Sequence, residues 1–464
     1  MSLRMVVREL HFAVCAGVAL SALAGVAPIA ARAASPASLP SIVHSPADSA
    51  LSSSSARAIA RLVAPDGWMS DGSIWSGQKV VIDDGAQGDF FGWSVAIDGR
   101  TALVGAYGTT VNGQEQQGAV YVFTESNGIW TQTAKLIADD GRRFDIFGSA
   151  VALSGDVAAI GAYQSNLSVG AVYVFTGSGS LWSQKAKLTA DDGVRGDCLG
   201  WSVAVSPAGV LAGAPFAVVD GIEVGAVYAF GANGGNWSQT QKVLADNGEI
   251  GDFFGDAIAM DGTIAVIGAD SASASAQQQG AAYVFDATGG NWIQKTELTS
   301  DDGASFDSFG RFVAISGSTI FVGAPYAAIE GNAFEGAAYV FEGNGGTWGQ
   351  TQKLTASDGM ANGYFGWSVA VSGTTALIGA NSYSNQTNPG LVYKFDKTGA
   401  AWAQTQEIAS GDGTGVDLFG WSLALDGTNA VIGEPFAEVH GVFAQGATYF
   451  YAPASDAIFA NGFD

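Results

Sequence analysis

Short apolar runs, each bounded by glycine and polar turn residues, recur along most of this chain without any stretch of helical periodicity. Runs such as Ala119-Val-Tyr-Val-Phe123 are β-branched and aromatic and apolar on both faces, the pattern of a strand enclosed between two neighbouring sheets. Other segments, Trp93 to Gly105 and Val313 to Gly323, hold two apolar runs joined by Asp98-Gly99 or Ser316-Gly317. Such dipeptides predict tight hairpins.

The runs belong to a repeat. A phrase centred on FG or a close variant places glycine at Gly92, Gly148, Gly200, Gly255, Gly310, Gly366 and Gly420. Thirteen residues after each comes a second glycine, in GA or a variant: Gly105, Gly161, Gly213, Gly268, Gly323, Gly379 and Gly433. A segment like GAVYVF then starts at Gly118, Gly170, Gly225, Gly280, Gly336, Gly390 and Gly446. A W-x-Q-x-x-K-L phrase begins at Trp75, Trp130, Trp182, Trp237, Trp292, Trp348 and Trp402. The first tryptophan phrase precedes the first FG, and no tryptophan phrase follows the last aromatic run, which ends at Tyr451. A ring of seven four-part units cut inside one unit has this order, whereas an open solenoid needs polar caps. The expected fold is all-β: a seven-bladed β-propeller of four-stranded antiparallel blades, closed by the Trp75 strand completing the last blade. The FG and GA glycines are expected where backbones of adjacent blades approach too closely for a side chain. The repeated tryptophan is expected over the outer rim between blades.

Phe91-Gly92 with Gly105-Ala106, Phe254-Gly255 with Gly268-Ala269, and Phe309-Gly310 with Gly323-Ala324-Pro325 resemble FG-GAP repeats, the units of the integrin α-subunit propeller. The resemblance spans about residues 74 to 452 and implies a binding or cell-adhesion module that carries ligand on one face. That family places calcium loops between the FG and GAP strands. Here the position holds tight turns, Ile97-Asp98-Gly99-Arg100 or Ile315-Ser316-Gly317-Ser318, with too few oxygens for the six to eight ligands that Ca²⁺ takes.

If each blade runs FG, GA, VYVF and Trp strand in turn, the variable GA-to-VYVF loops and the Trp-to-FG loops share one face. Variable loops on a rigid scaffold are the expected ligand-binding surface. Two features repeat there. An aromatic follows GA at Tyr107, Tyr163, Phe216, Tyr326 and Phe436. These rings are the candidate ligand-binding residues, able to stack on sugars or cations, and equally able to fill gaps between blades. The acidic phrase D-D-G-x-x-x-D-x-F-G supplies Asp83, Asp84 and Asp89, then Asp139, Asp140 and Asp145, and in the fifth copy Asp301, Asp302 and Asp307. Three carboxylates within seven residues are candidate metal ligands, with Ca²⁺ the candidate cofactor. The other reading is that they are turn formers that accept hydrogen bonds from their own loops.

Charge and termini bear on location. Arg4 and Arg8 precede an apolar run ending in Ala31-Arg32-Ala33, the form of a signal peptide spanning 1–33. Its removal moves the formal net charge of −24 two units further negative. So acidic a surface disfavours nucleic acid and anionic lipid. No later run reaches the length of a membrane span. Residues 34–73 read as a Ser/Ala/Pro-rich linker, 74–452 as the propeller, and 453–464 as a tail. The ending Ile458-Phe459 to Gly462-Phe463-Asp464 is similar to short endings on exported proteobacterial proteins and is a candidate sorting motif. The expected product is an exported monomer, extracellular, surface-bound or periplasmic, whose partner is an extracellular protein or glycan.

Cys15 lies in the signal, which leaves Cys198 without an intramolecular partner. Outside the signal the histidines are His44 and His440, and no H-E-x-x-H, Walker loop or G-x-S-x-G elbow occurs, so no catalytic residue is assigned. The alternative is a secreted hydrolase such as a glycosidase, using acidic residues around the propeller channel.

Overall fold

The computed structural model describes residues 75–453, apart from 345–346 and 383–388. The expected signal peptide, the linker and the tail beyond Pro453 lie outside the described residues.

In the first repeat, β1 (Trp75–Val80) is followed by β2 (Ser94–Asp98), β3 (Thr101–Ala106), β4 (Ala119–Ser126) and β5 (Ile129–Leu136). β2 to β5 form one antiparallel sheet in chain order, with Val95 opposite Val104 and Val104 opposite Tyr121. This pattern recurs as seven four-stranded sheets. The last sheet is composite. Ser422–Asp426, Asn429–Glu434 and Ala447–Pro453 supply three strands, and β1 supplies the outermost, pairing Trp75 with Pro453 and Lys79 with Tyr449. The ring thus closes as the sequence order implied.

Closure is repeated at two further levels. The carbonyl preceding each GAVYVF glycine accepts the N–H of the next FG aromatic or its equivalent. Phe147 N donates to Gln117 O at 2.8 Å, Phe254 N to Val224 O at 3.1 Å, and Phe91 N to Gln445 O at 3.0 Å across the joint between last and first blades. Where inner strands converge, a Cβ at Gly105 would lie 2.2 Å from Gly148 O, one at Gly268 1.9 Å from Gly310 O, and one at Gly433 2.0 Å from Gly92 O. Alanine does not fit there unless blades part.

Adjacent sheets bury each other's apolar side chains. The VYVF tyrosines Tyr121, Tyr173, Tyr228 and Tyr339 are fully buried. The FG phenylalanine packs against the ring, as in Phe91–Tyr121 and Phe309–Tyr339 at 5.6 and 5.5 Å between centroids. Each such ring contributes about 1.5–3 kcal/mol by burial. The tryptophans of the outer strands reach across to the previous blade. Trp130 stacks on Phe450 at 4.7 Å, and its backbone exchanges two hydrogen bonds of 2.9 Å with the Gln78 side chain of β1.

Two local elements depart from the expected 28 strands. Val218–Val219 pairs with Ile222–Glu223 as a small hairpin inside one GA-to-VYVF loop. In another, Ser165–Ser168 makes a single turn with left-handed φ at Asn166 and Leu167.

Candidate functional site: the loop face

The blade order fixes two faces. The Asp-Gly and Ser-Gly hairpins meet on one, where Gly155 N donates to Asp98 Oδ2 and Gly317 N to Asp261 Oδ2, each at 2.6 Å. The GA-to-VYVF and Trp-to-FG loops meet on the other along the seams of backbone hydrogen bonds described above.

At every seam the residue two before the FG glycine has left-handed φ, between 51° and 61°: Phe90, Ile146, Cys198, Phe253, Ser308, Tyr364 and Leu418. Bulky side chains adopt this conformation at a cost of about 1–2 kcal/mol. Its repetition shows that the seam hydrogen bonds over-determine it. The residue that follows, such as Phe91, Phe147, Phe254 or Phe309, lies in the inter-blade core.

The five candidate aromatics are half-buried and lie against these seams. Tyr107 stacks on Phe90 at 5.0 Å and meets Trp93 edge-on at 4.7 Å. Phe436 contacts Phe90 and Trp421, and Trp421 meets Trp93 at 4.6 Å and Trp367 at 5.1 Å. Tyr326 packs on Phe334 and Tyr364. Tyr163 and Phe216 both pack on Trp201, and Phe216 also on Phe253. Trp93, Trp201 and Trp421, which immediately follow the FG glycine, thus contact four of the candidate rings, while Tyr326 meets Phe334 and Tyr364 instead. Burial pushes the Tyr107 phenol far above its ordinary range, so it remains a neutral hydroxyl.

In the fourth and fifth repeats that post-FG position is charged, Asp256 and Arg311. Arg311 bonds Asp256 at 2.8 Å and Asp270 at 3.3 Å. Burial raises the Asp256 carboxyl, against the pull of the Arg311 cation and with the push of Asp270. The group holds two carboxylates to one guanidinium and ties the fourth repeat to the fifth.

The acidic phrases divide their carboxylates among separate tasks. The second aspartate accepts a hydrogen bond from the VYVF tyrosine and pairs with the lysine of the Trp strand. Asp84 takes Tyr121 at 3.1 Å and Lys135 at 2.6 Å, Asp140 takes Tyr173 at 2.8 Å and Lys187 at 2.7 Å, and Asp302 takes Tyr339 at 2.9 Å and Lys353 at 2.6 Å. Partial burial raises these carboxyls, but the lysine and tyrosine bonds outweigh it and the net shift is downward. The third aspartate closes its own loop: Asp89, Asp145 and Asp307 accept the N–H three residues earlier at 2.8–2.9 Å. Burial raises these three carboxyls. The first, Asp83, Asp139 or Asp301, is exposed. Among the described residues, no group of three or more His, Cys, Asp or Glu side chains is placed to hold a metal ion.

A sequence profile described as the FG-GAP repeat matches seven segments: 75–123, 130–175, 182–230, 237–285, 292–341, 348–395 and 402–451. The chain belongs to the FG-GAP repeat family. No curated protein gives a significant match. The calcium loops that the integrin resemblance implies do not fit this FG-GAP propeller. The turns between FG and GA strands are tight hairpins, and the carboxylates there, Asp98 and Asp261, accept N–H groups from the next blade.

Sequence reasoning missed the post-FG tryptophans, the Asp256–Arg311–Asp270 group and Glu434. Glu434 replaces the alanine of the other GA motifs and has no accessible surface. Its Oε2 accepts the Tyr449 hydroxyl at 2.8 Å. Burial pushes this carboxyl up to about 7. A position-by-position comparison of the seven copies would have shown it, since it is the one acidic residue at that place.

Proposed function

We propose that this FG-GAP propeller is an exported binding or adhesion module that recognises an extracellular protein or glycan through its loop face. The observation that carries this reading is the contrast between faces. One is made of short hairpins whose polar groups bond each other, and the other gathers the variable loops, the joined aromatic rings and most of the exposed large apolar side chains. A rigid ring with apolar, partly exposed loops is suited to recognition. The acidic charge supports a partner that is neither nucleic acid nor anionic lipid. No helix among the described residues is long and apolar enough to cross a membrane.

The test is binding of the secreted protein to glycan and displayed-peptide arrays, run beside hydrolysis assays on the same ligands. Saturable binding that weakens when an exposed apolar side chain of the loop face, whether Leu167, Ile250, Phe334 or Phe443, is replaced by serine, without turnover, supports the module. Turnover abolished by a carboxylate-to-amide change would instead establish the hydrolase.

A further inference from the structure

We propose that the loop-face sector over the second, third and fourth blades binds a polypeptide segment carrying Lys or Arg among apolar side chains. This rests on the loop-face reading above and narrows it to one sector and one ligand chemistry.

The sector presents Leu167, Val194, Val218, Ile222 and Ile250, with Leu167 and Ile250 at 70% and 73% exposure. They lie on loops joined to one another. Gly196 and Cys198 donate to Ser168 O at 3.0 Å, which sets the Val194 loop beside Leu167. Gly251 N donates to Glu223 O at 2.7 Å, which sets Ile250 beside the Val218–Glu223 hairpin. The third blade contributes to both seams. Leu167 is held in left-handed conformation between Asn166 and Ser168, which share it, with φ of 53°, 61° and 65°. The chain bears both the strain and the exposure of this leucine, and no burial among the described residues offsets either.

Charge identifies the partner. Asp191, Asp220, Asp246 and Glu249 are exposed on these loops, and none takes part in an ion pair among the described residues. Arg195 is the single basic residue in segments 164–170, 190–199, 215–225 and 245–254. A second copy of this acidic face would be repelled, and so would an anionic membrane. Branched aliphatic side chains lack the flat face on which sugars stack, so an apolar, basic polypeptide fits better than a glycan.

The experiment selects peptides from a random displayed library against the purified propeller, then measures a selected, labelled peptide by fluorescence anisotropy. The expected peptides are enriched in Lys or Arg with Leu, Ile or Phe. Their Kd should rise about tenfold in Leu167→Ser/Ile250→Ser and in Asp220→Asn/Glu249→Gln, but less than twofold in Phe334→Ser/Phe443→Ser. Unchanged circular dichroism and melting confirm that the variants remain folded. Basic peptides that lose affinity only in Phe334→Ser/Phe443→Ser would overturn the sector while leaving loop-face recognition standing. Peptides indifferent to both apolar pairs would overturn both. A dimer seen by sedimentation and abolished by Leu167→Ser/Ile250→Ser would assign the sector to a second copy and overturn the proposal.

Discussion

Gly268→Ala adds one methyl group at the convergence of the fourth and fifth blades. Gly268 lies in a strand and lacks left-handed φ, so alanine considered alone would favour that strand by about 0.5–1 kcal/mol. The new Cβ, however, would stand 1.9 Å from Gly310 O and 3.4 Å from Ala257 Cβ. Reaching ordinary contact requires the two backbones to separate by about 1.5 Å, a movement that loosens the packing between blades. Overpacking of this kind costs about 1–3 kcal/mol, and the upper end is expected because the obstacle is backbone. For a folded unit of this size, about 3 kcal/mol corresponds to a drop in Tm of about 4 °C. Gly289→Ala and Gly262→Ala are the controls. Nothing lies within 4 Å of either, and only Gly262 has a positive φ, of 60°. The first should be neutral or mildly stabilising, and the second should lose about 1 kcal/mol through its backbone alone. Urea unfolding followed by tryptophan fluorescence gives all three. If Gly268→Ala unfolds with Gly289→Ala, blade convergence is not what demands glycine.

Other outcomes follow from departures between copies. In the sixth repeat Asp358 still accepts Tyr393 at 2.8 Å, but Glu407 stands where five of the copies have lysine, and burial and then Asp358 raise its carboxyl. Glu407→Lys should raise the urea midpoint by the equivalent of about 0.5–1 kcal/mol, with the gain shrinking at high salt. The folded-state pKa of Glu434, about 7, lies above the ordinary 4.5, so the folded state holds this proton more tightly. Stability is therefore greatest below about pH 4.5 for this group, declines by about 3 kcal/mol as pH climbs to about 7, and is level above that. Glu434→Gln should remove that decline from a series of urea titrations, and an unaltered pH profile would contradict it. Because the carboxylates of the acidic phrases are occupied separately, excess EDTA or millimolar Ca²⁺ should shift Tm by less than about 1 °C in calorimetry.

The ring was legible because its evidence is arithmetic. Seven FG, GA and VYVF phrases recurring every 52–56 residues, with one tryptophan phrase displaced to the front, permit the closure that Trp75–Pro453 pairing makes. The two faces were legible too, since hairpin and loop lengths assign them. The uses of single side chains were not. The phrase D-D-G names three aspartates but not their partners, and Asp140 finds Tyr173 and Lys187 from 33 and 47 residues away. A paired exchange in the fourth copy carried that information: Asn247 replaces the aspartate, Glu297 replaces the lysine, and the two bond at 3.1 Å. The left-handed φ at Phe90 and its equivalents had no residue signal, because glycine is absent from a position that tertiary hydrogen bonds impose. The aromatic reading found Tyr107 and Phe436 but not Trp93 and Trp421 between them, since those tryptophans read as the start of a strand.

Ring closure by β1 is the claim on which both faces depend, and a disulfide reports it directly. Ser76 and Ala452 are register partners on antiparallel strands, where opposed Cα atoms lie about 4.5–5.5 Å apart, within reach of a disulfide. In a Cys198→Ser background, Ser76→Cys/Ala452→Cys should oxidise to an intramolecular disulfide, migrate faster on a non-reducing gel and unfold at higher urea. Two thiols that stay free in the folded, oxidised protein would show that β1 does not complete the last blade.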